Sequence, residues 1–221
     1  MLISHKFKFV TIDIPKTGTR SYRQTLHIDN SYVDVMGVPS PLMLKPTDFY
    51  QHEKSVDAIQ KFKILSWKWE DYFKYTTIRN PWARCVSYYM WTKTVHQRYI
   101  DKDLESLPIT PRMHFNTFDR LFKRCNFDTK KILHRLIQNQ SSQDTFFLVD
   151  GKIVVDYIGQ MENIQNDFLV FCSKVGINPP PILRHENKSP EYNYRDFYDQ
   201  ELIDLVAEKE KYVIDHYGYQ Y

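Results

Sequence analysis

The residues best suited to chemistry lie in one short segment, Phe-Val-Thr-Ile-Asp-Ile-Pro-Lys-Thr-Gly-Thr-Arg-Ser, which covers residues 9–21. β-forming residues end there in a Lys-Thr-Gly-Thr loop, and a helix-like stretch follows. The free backbone N–H groups and the dipole of a helix start favour an anion. Lys16 adds positive charge, Gly18 permits close approach of the backbone, and hydroxyl donors come from Thr17, Thr19 and Ser21. The pattern predicts an anion-binding loop.

A second segment, Arg-Asn-Pro-Trp-Ala-Arg-Cys-Val-Ser at residues 79–87, places Arg79 at the end of a predicted strand and Ser87 on the next helix. Arg79 can offer a planar fork to a phosphate, and Ser87 can donate a hydroxyl to the same group. The alternative is structural, with an ion-paired arginine and a serine that fills a tight contact. The first loop is not a Walker A motif, because Lys16 precedes Gly18 instead of following the last glycine.

Strand and helix patterns alternate early and helices dominate late, which predicts an α/β fold with a central parallel sheet flanked by helices. The predicted strands cover 7–14 and 73–79, with a further strand-like run at 145–149. Asp150-Gly151 predicts a turn, after which 153–159 either pairs back as a hairpin or enters the main sheet. The predicted helices cover 21–28, 53–61, 82–95, 116–124, 128–138, 163–175 and 199–217.

Composition limits the class of protein. A length of 221 residues without a composition break predicts one domain, 1–221. The net charge of +3 is too small to predict nucleic-acid binding. Three scattered cysteines predict reduced thiols and no zinc or other metal site. Because no apolar run approaches the ~20 residues of a membrane helix and no secretory leader is evident, we expect a cytoplasmic protein.

Together the two segments resemble the paired signatures of the sulfotransferases that use 3′-phosphoadenosine 5′-phosphosulfate (PAPS). Residues 15–19 look like that family's 5′-phosphosulfate loop, and residues 79–87, followed by Tyr-Tyr, look like its 3′-phosphate element. The resemblance continues at 156–163, 185–189 and 215–219. It is closest to the carbohydrate sulfotransferases of the heparan 2-O and chondroitin type and their bacterial relatives. It covers most of the chain except 28–50 and 92–145.

The resemblance implies a P-loop-NTPase-like sulfotransferase fold and transfer of a sulfuryl group from PAPS to a carbohydrate hydroxyl by in-line displacement, without a metal. It implies that Lys16 stabilises the bridging oxygen and the 5′-phosphate of the leaving 3′,5′-ADP. Segments 28–50 and 92–145 are then acceptor-side insertions. The nucleotide-binding residues predicted in this way are Lys16, Thr17, Gly18, Thr19, Arg20, Ser21, Arg79, Ser87 and Lys188.

Two of these assignments stay open. Arg20 stands where the family most often has Thr or Ser, so it either reaches a phosphate, reaches an acidic acceptor or points to solvent. Lys188 either contacts the 3′-phosphate or belongs to a solvated charged turn.

A base is needed to take the proton of the acceptor hydroxyl, and histidine suits that role near neutral pH. His52 is the candidate, since relatives carry a histidine ahead of the second-signature strand. Its alternatives are Glu53 and His185, and His52 can also be an ordinary loop histidine. Two further functions compete with a sulfotransferase: a nucleotide-dependent kinase with a degenerate phosphate loop, and a non-catalytic nucleotide- or glycan-binding relative.

Overall fold

The computed structural model describes residues 1–29, 31–39, 45–101, 109–184 and 192–221. The chain forms two compact units, each assembled from two separate stretches of sequence. The first unit contains Met1–Arg79 and Ser142–Lys188, and the second contains Asn80–Ser141 and Ser189–Tyr221. The single domain stays a prediction.

The first unit is built on a five-stranded sheet in the order β3-β1-β2-β4-β7. Strands β2, β4 and β7 are parallel, whereas β1 runs antiparallel to both of its neighbours. The α/β class is confirmed, and the predicted central parallel sheet is mixed, because two short strands add an antiparallel edge to the three parallel strands. The strands of the chain are β1 (Leu2–Ser4), β2 (Phe9–Ile12), β3 (Val35–Met36), β4 (Phe73–Ile78), β5 (Leu148–Val149), β6 (Lys152–Ile153) and β7 (Tyr157–Gln160).

Of the helices in the described residues, α1, α2 and α6 belong to the first unit, and α3, α4, α5, α7 and α8 belong to the second. Their bounds are α1 (Thr19–Arg23), α2 (Ser55–Ile64), α3 (Pro81–Ile100), α4 (Ile109–Arg124), α5 (Thr129–Asn139), α6 (Ile164–Lys174), α7 (Gln200–Lys209) and α8 (Lys211–Tyr217). A π-helix, Gln24–Asp29, continues α1 directly. Short 3-10 helices cover Trp69–Asp71, Asp144–Phe146, Met161–Asn163 and Tyr194–Phe197.

Aromatic side chains fill the core of the first unit between the sheet and helices α1 and α6. The Phe171 ring packs against those of Phe9 and Tyr75, at centroid distances of 5.1 and 4.9 Å. Tyr22 of α1 packs edge-on against Tyr75, and their buried hydroxyl groups are hydrogen-bonded. This packing attaches the helix that follows the Lys-Thr-Gly-Thr loop to the centre of the sheet.

The Asp150-Gly151 turn resolves an open alternative in the sequence prediction. Both residues have positive φ, 51° and 72°, as a tight hairpin turn requires, and β5 pairs with β6 across them. The chain then continues into β7, which pairs with β4. Both predicted outcomes therefore occur, one after the other.

The second unit is helical and is organised around α3. As predicted, Pro81 opens this helix and the side chain of Asn80 caps it by accepting a hydrogen bond from the Ala83 N–H at 3.1 Å. The predicted last helix is divided into α7 and α8 at Glu210. The carboxylate of that residue lies 2.6 Å from the Arg84 guanidinium, and both side chains are buried.

No helix in the described parts of the chain combines the length and the apolar character needed to cross a membrane. The cytoplasmic location stays a prediction.

Candidate active site

The Lys-Thr-Gly-Thr loop connects the carboxyl end of β2 to the start of α1. Lys16 and Gly18 both have left-handed backbone conformations, with φ of 70° and 82°. The Thr17 hydroxyl donates to the Ile14 carbonyl at 2.9 Å, and the Ser21 N–H donates to the Gly18 carbonyl at 3.0 Å. The hydroxyl of Thr17 thus serves the internal structure of the loop, in addition to any role in binding.

Gly18 is closely packed by neighbouring side chains, in addition to having a positive φ. A Cβ at this position would come within 2.6 Å of the Ile164 side chain and still closer to the sulfur of Met161. The segment between β7 and α6 therefore packs directly on the loop. The sequence prediction explained Gly18 only by the close approach of an anion. The structure shows that neighbouring protein side chains also pack against it.

Two arginines, Arg79 and Arg20, lie close enough to Lys16 to affect its charge. The Arg79 guanidinium donates from Nη1 to the Lys16 carbonyl at 3.3 Å, so the structure brings the arginine of the second segment onto the first. The pKa of Lys16 is lowered to about 8, chiefly by burial and in addition by the positive charges of Arg79 and Arg20. Positive charge concentrated in this way favours an anion.

Arg79 is fixed in place by Gln143, a residue that the sequence prediction missed. The Gln143 carboxamide accepts from the Arg79 N–H at 2.9 Å and donates to the Arg79 carbonyl at 3.0 Å. No solvent reaches Gln143. A glutamine so distant in sequence has no local signature, so only the folded chain reveals this contact.

His52 lies beside the residue that leads into the loop. Its Nδ1 is 2.7 Å from the Asp13 carbonyl, which can only accept, so Nδ1 carries the proton and Nε2 keeps its lone pair. Burial lowers the pKa of His52 to about 4. The ring is therefore neutral near pH 7, with one nitrogen able to accept a proton.

The Asp13 carboxylate is buried next to this histidine. It accepts a hydrogen bond from the Thr11 hydroxyl at 2.9 Å and forms ion pairs with Arg23 at 3.4 Å and with the Met1 amino group at 2.7 Å. Burial on its own would raise the pKa of Asp13, but the two cations outweigh it and hold that pKa below its usual value. The charged carboxylate is thus part of the permanent support beneath the loop.

The alternatives to His52 fare differently. The Glu53 carboxylate is buried, accepts a hydrogen bond from the Tyr50 N–H and pairs with Lys61 at 2.6 Å. Since both of its oxygens are engaged in holding the local chain, the geometry favours His52 over Glu53. His185 lies outside the described residues.

The contacts among the described residues do not place the other predicted nucleotide-binding residues in a common site with Lys16 and Arg79. Thr19 and Ser21 are buried in the first turn of α1, which begins directly after Gly18. Ser87 is buried on α3 in the second unit, and Lys188 lies outside the described residues, so their roles stay predictions. Among the described residues, no three His, Cys, Asp or Glu side chains are grouped as they would be around a metal ion.

A basic cleft of about 390 Å³ lies in the second unit. Two of its basic side chains have acidic neighbours: Lys130 lies 2.9 Å from Asp199, and His134 lies 3.7 Å from Glu201. Because such pairing is typical of a solvated helical surface, the cleft adds no chemistry to the loop. It is lined by Arg124, Cys125, Lys130, Lys131, His134, Arg135, Gln138, Asp199, Glu201 and Leu202.

Comparisons with protein-family models, with curated proteins and with solved structures found no match for this chain. The resemblance to sulfotransferases therefore rests on the two sequence segments alone, and the chemistry of the loop is the remaining guide to function.

Proposed function

We propose that the protein is a sulfotransferase with a P-loop-NTPase-like sulfotransferase fold, which transfers a sulfuryl group from PAPS to a hydroxyl of a carbohydrate acceptor. One observation carries the proposal: the Arg79 guanidinium reaches the Lys16 carbonyl in a loop at the carboxyl end of a parallel strand, with a neutral His52 beside that loop. An anion-binding loop next to a neutral base suits transfer of an anionic group to a hydroxyl.

The residues present fit the phosphosulfate end of such a donor. PAPS, when bound, supplies the sulfuryl group and departs as 3′,5′-ADP. The ammonium of Lys16 and the guanidinium of Arg79 can stabilise negative charge on the leaving oxygen. The low pKa of Lys16 supports this fit, because a bound anion would offset both the burial of the ammonium and the repulsion from Arg79 and Arg20.

His52 supplies the proton acceptor. Its Nε2 takes the proton of the acceptor hydroxyl, while the Asp13 carbonyl keeps the other ring nitrogen protonated and the ring oriented. Arg20, which is exposed, can add positive charge at the mouth of the loop. Ser87 and Lys188 for the 3′-phosphate, and segments 28–50 and 92–145 for the acceptor, complete the proposal.

Isothermal calorimetry without Mg²⁺ tests the donor. We expect 3′,5′-ADP to bind more tightly than ATP, and Arg79→Met to weaken 3′,5′-ADP by about thirtyfold, which corresponds to about 2 kcal/mol for a lost charge-assisted fork. The matched control is Lys63→Met, which removes one exposed positive charge of α2 and should leave the affinity unchanged. Equal or tighter binding of ATP would refute the proposal and favour the kinase.

Transfer of labelled sulfate from PAPS to a panel of oligosaccharides tests the reaction. We expect the wild-type protein to form sulfated product and a variant that lacks His52 to form much less. If 3′,5′-ADP binds but no glycan in the panel is sulfated, the non-catalytic nucleotide-binding alternative replaces the enzyme.

A further inference from the structure

We propose that Gln143 is a positioning residue, which holds the Arg79 guanidinium on the Lys16 carbonyl by fixing the backbone of Arg79. This inference deepens the proposed function, on which it rests for the identity of the anion. The arrangement itself can be tested without any ligand.

Gln143 holds Arg79 through the backbone of that residue. The strand pairs of β4 end at Ile78, which pairs with Gln160, so Arg79 is the first residue beyond the ladder. The Gln143 carboxamide supplies the missing partner on both sides, since it accepts from the Arg79 N–H and donates to the Arg79 carbonyl. One side chain thus imitates an additional strand residue and satisfies two backbone groups.

The fixed backbone of Arg79 places its guanidinium at the Lys16 carbonyl. The Arg79 side chain extends from this anchor to the Lys16 carbonyl at 3.3 Å. Lys16 has a φ of 70°, a region that residues other than glycine rarely occupy without support from their surroundings. The hydrogen bond from Arg79 therefore stabilises the left-handed turn, and with it the position of the Lys16 side chain.

Gln143 is itself held by its backbone and by burial. Its carbonyl accepts from the Phe146 N–H at 3.1 Å within the short helix that follows. The Phe146 carbonyl accepts from the Ser55 hydroxyl at 2.6 Å. Gln143 is fully buried at the start of this anchored turn, so it forms a fixed support from which Arg79 can be positioned.

The test follows the titration of Lys16, which a purely structural glutamine would leave unchanged. Lysine side chains are labelled competitively with acetic anhydride from about pH 6 to about pH 10, and Lys16 labelling is quantified by mass spectrometry. In the wild type the midpoint should lie at about 8. In Gln143→Met, release of the Arg79 guanidinium should move the midpoint upward by about half a pH unit or more, because a nearby positive charge is lost.

Two comparisons separate positioning from general damage. Ser55→Ala removes a hydrogen bond to the same turn without contacting Arg79, so its midpoint should equal that of the wild type. In an Arg79→Met background, Gln143→Met should cause no further shift, since both changes remove the same charge. An unchanged midpoint in Gln143→Met, or a full additional shift in the Arg79→Met background, would overturn the inference.

Should Gln143→Met fail to fold, hydrogen exchange of the wild-type protein gives a second test. The Arg79 amide should be protected as well as the amides of β4, although it lies beyond the ladder. Exchange at the rate of an unprotected amide would overturn the inference. Neither measurement uses a nucleotide, so failure of 3′,5′-ADP to bind would count against the proposed function alone.

Discussion

Lys16 is the residue whose charge should govern anion binding. Its pKa of about 8 in the free protein rises when an anion binds, so binding above that pH requires uptake of a proton. We therefore expect the affinity for 3′,5′-ADP to be level between about pH 7 and about pH 8, where its phosphates are ionised, and to fall as the pH rises beyond that range. Calorimetry in two buffers of different ionisation enthalpy, at about pH 8.5, should report net proton uptake.

Lys16→Arg is the control for this pH dependence, because an arginine keeps its charge throughout the range. Its affinity should stay level to about pH 9. An affinity in the wild type that is equally level would contradict a role for Lys16 as the titrating ligand.

His52 should act as a base whose ionisation lies far below neutrality. Since burial lowers its pKa to about 4, the neutral form that accepts a proton persists down to acid pH. The acid limb of kcat/KM should therefore lie near about pH 4, and not near the ordinary histidine value of about 6.5. The pH dependence of sulfate transfer to a glycan that is accepted as substrate measures it.

A substitution checks the same residue. His52→Gln keeps a side-chain N–H that can donate to the Asp13 carbonyl but lacks the base, so turnover should fall by about 10²–10⁴-fold while 3′,5′-ADP binding is retained. His134→Gln, in the second unit, is the matched control. Wild-type turnover in His52→Gln would show that the base is a different group.

At the residue scale, the sequence predicts site residues that directly follow a strand and belong to an uninterrupted motif. Lys16 and Arg79 were predicted because each follows a run of β-forming residues, and the fold brings them together. The inward hydrogen bond of Thr17 and the double contact of Gln143 were not predictable. Each depends on where a side chain points after folding, and Gln143 is 64 residues distant from its partner.

At the scale of elements, Gly18 is the point where α6 and the loop meet. Gly18→Ala should destabilise the protein for two reasons, the positive φ and the collision of its Cβ with Met161 and Ile164. Gly176→Ala isolates the first reason, because that glycine has a φ of 73° and nothing within 4 Å of the added carbon. We expect Gly18→Ala to cost about 1–3 kcal/mol more than Gly176→Ala in urea unfolding.

A second variant makes that test sharper. Met161→Ala, combined with Gly18→Ala, should recover part of the stability and of the 3′,5′-ADP affinity because it makes room for the methyl group. Equal costs for the two glycine substitutions would show that α6 yields without resistance and does not shape the loop.

The elements also show where periodicity reaches its limit. Strand β4 and the start of helix α3 were predicted to within one residue because the hydrophobic run and the Asn-Pro start are local signals, whereas α3 continues five residues beyond its predicted end. Strands β1 and β3 contain three and two residues, too few to show an alternating pattern, and they are the strands that make the sheet mixed.

At the scale of the whole molecule, the division into two units was not predictable from composition. One boundary falls between Arg79 and Asn80, inside the second signature, where no Gly- or Ser-rich linker marks it. The chain alternates between the units, so the two stretches of each unit are separated in sequence by a stretch of the other. Local sequence therefore indicates the elements, but only long-range contacts determine to which unit each belongs.

The buried pair of Arg84 and Glu210 is such a contact, because it joins two stretches of the second unit that are 126 residues apart in the chain. Glu210→Gln would leave Arg84 charged and buried, and it should cost about 3–5 kcal/mol in urea unfolding followed by far-ultraviolet circular dichroism. Arg84→Met combined with Glu210→Leu should be nearly as stable as the wild type, since no buried charge remains.

The exposed pair Lys211–Asp215, at 2.7 Å, is the control, and Asp215→Asn should cost less than about 1 kcal/mol. If Glu210→Gln costs no more than this surface variant, water must reach Arg84 in solution, and apolar packing between α3 and α7 holds the two stretches together. If instead the double variant is as unstable as the single one, the pair contributes more than charge balance. Its geometry would then be what ends α7 at Glu210 and directs the chain into α8.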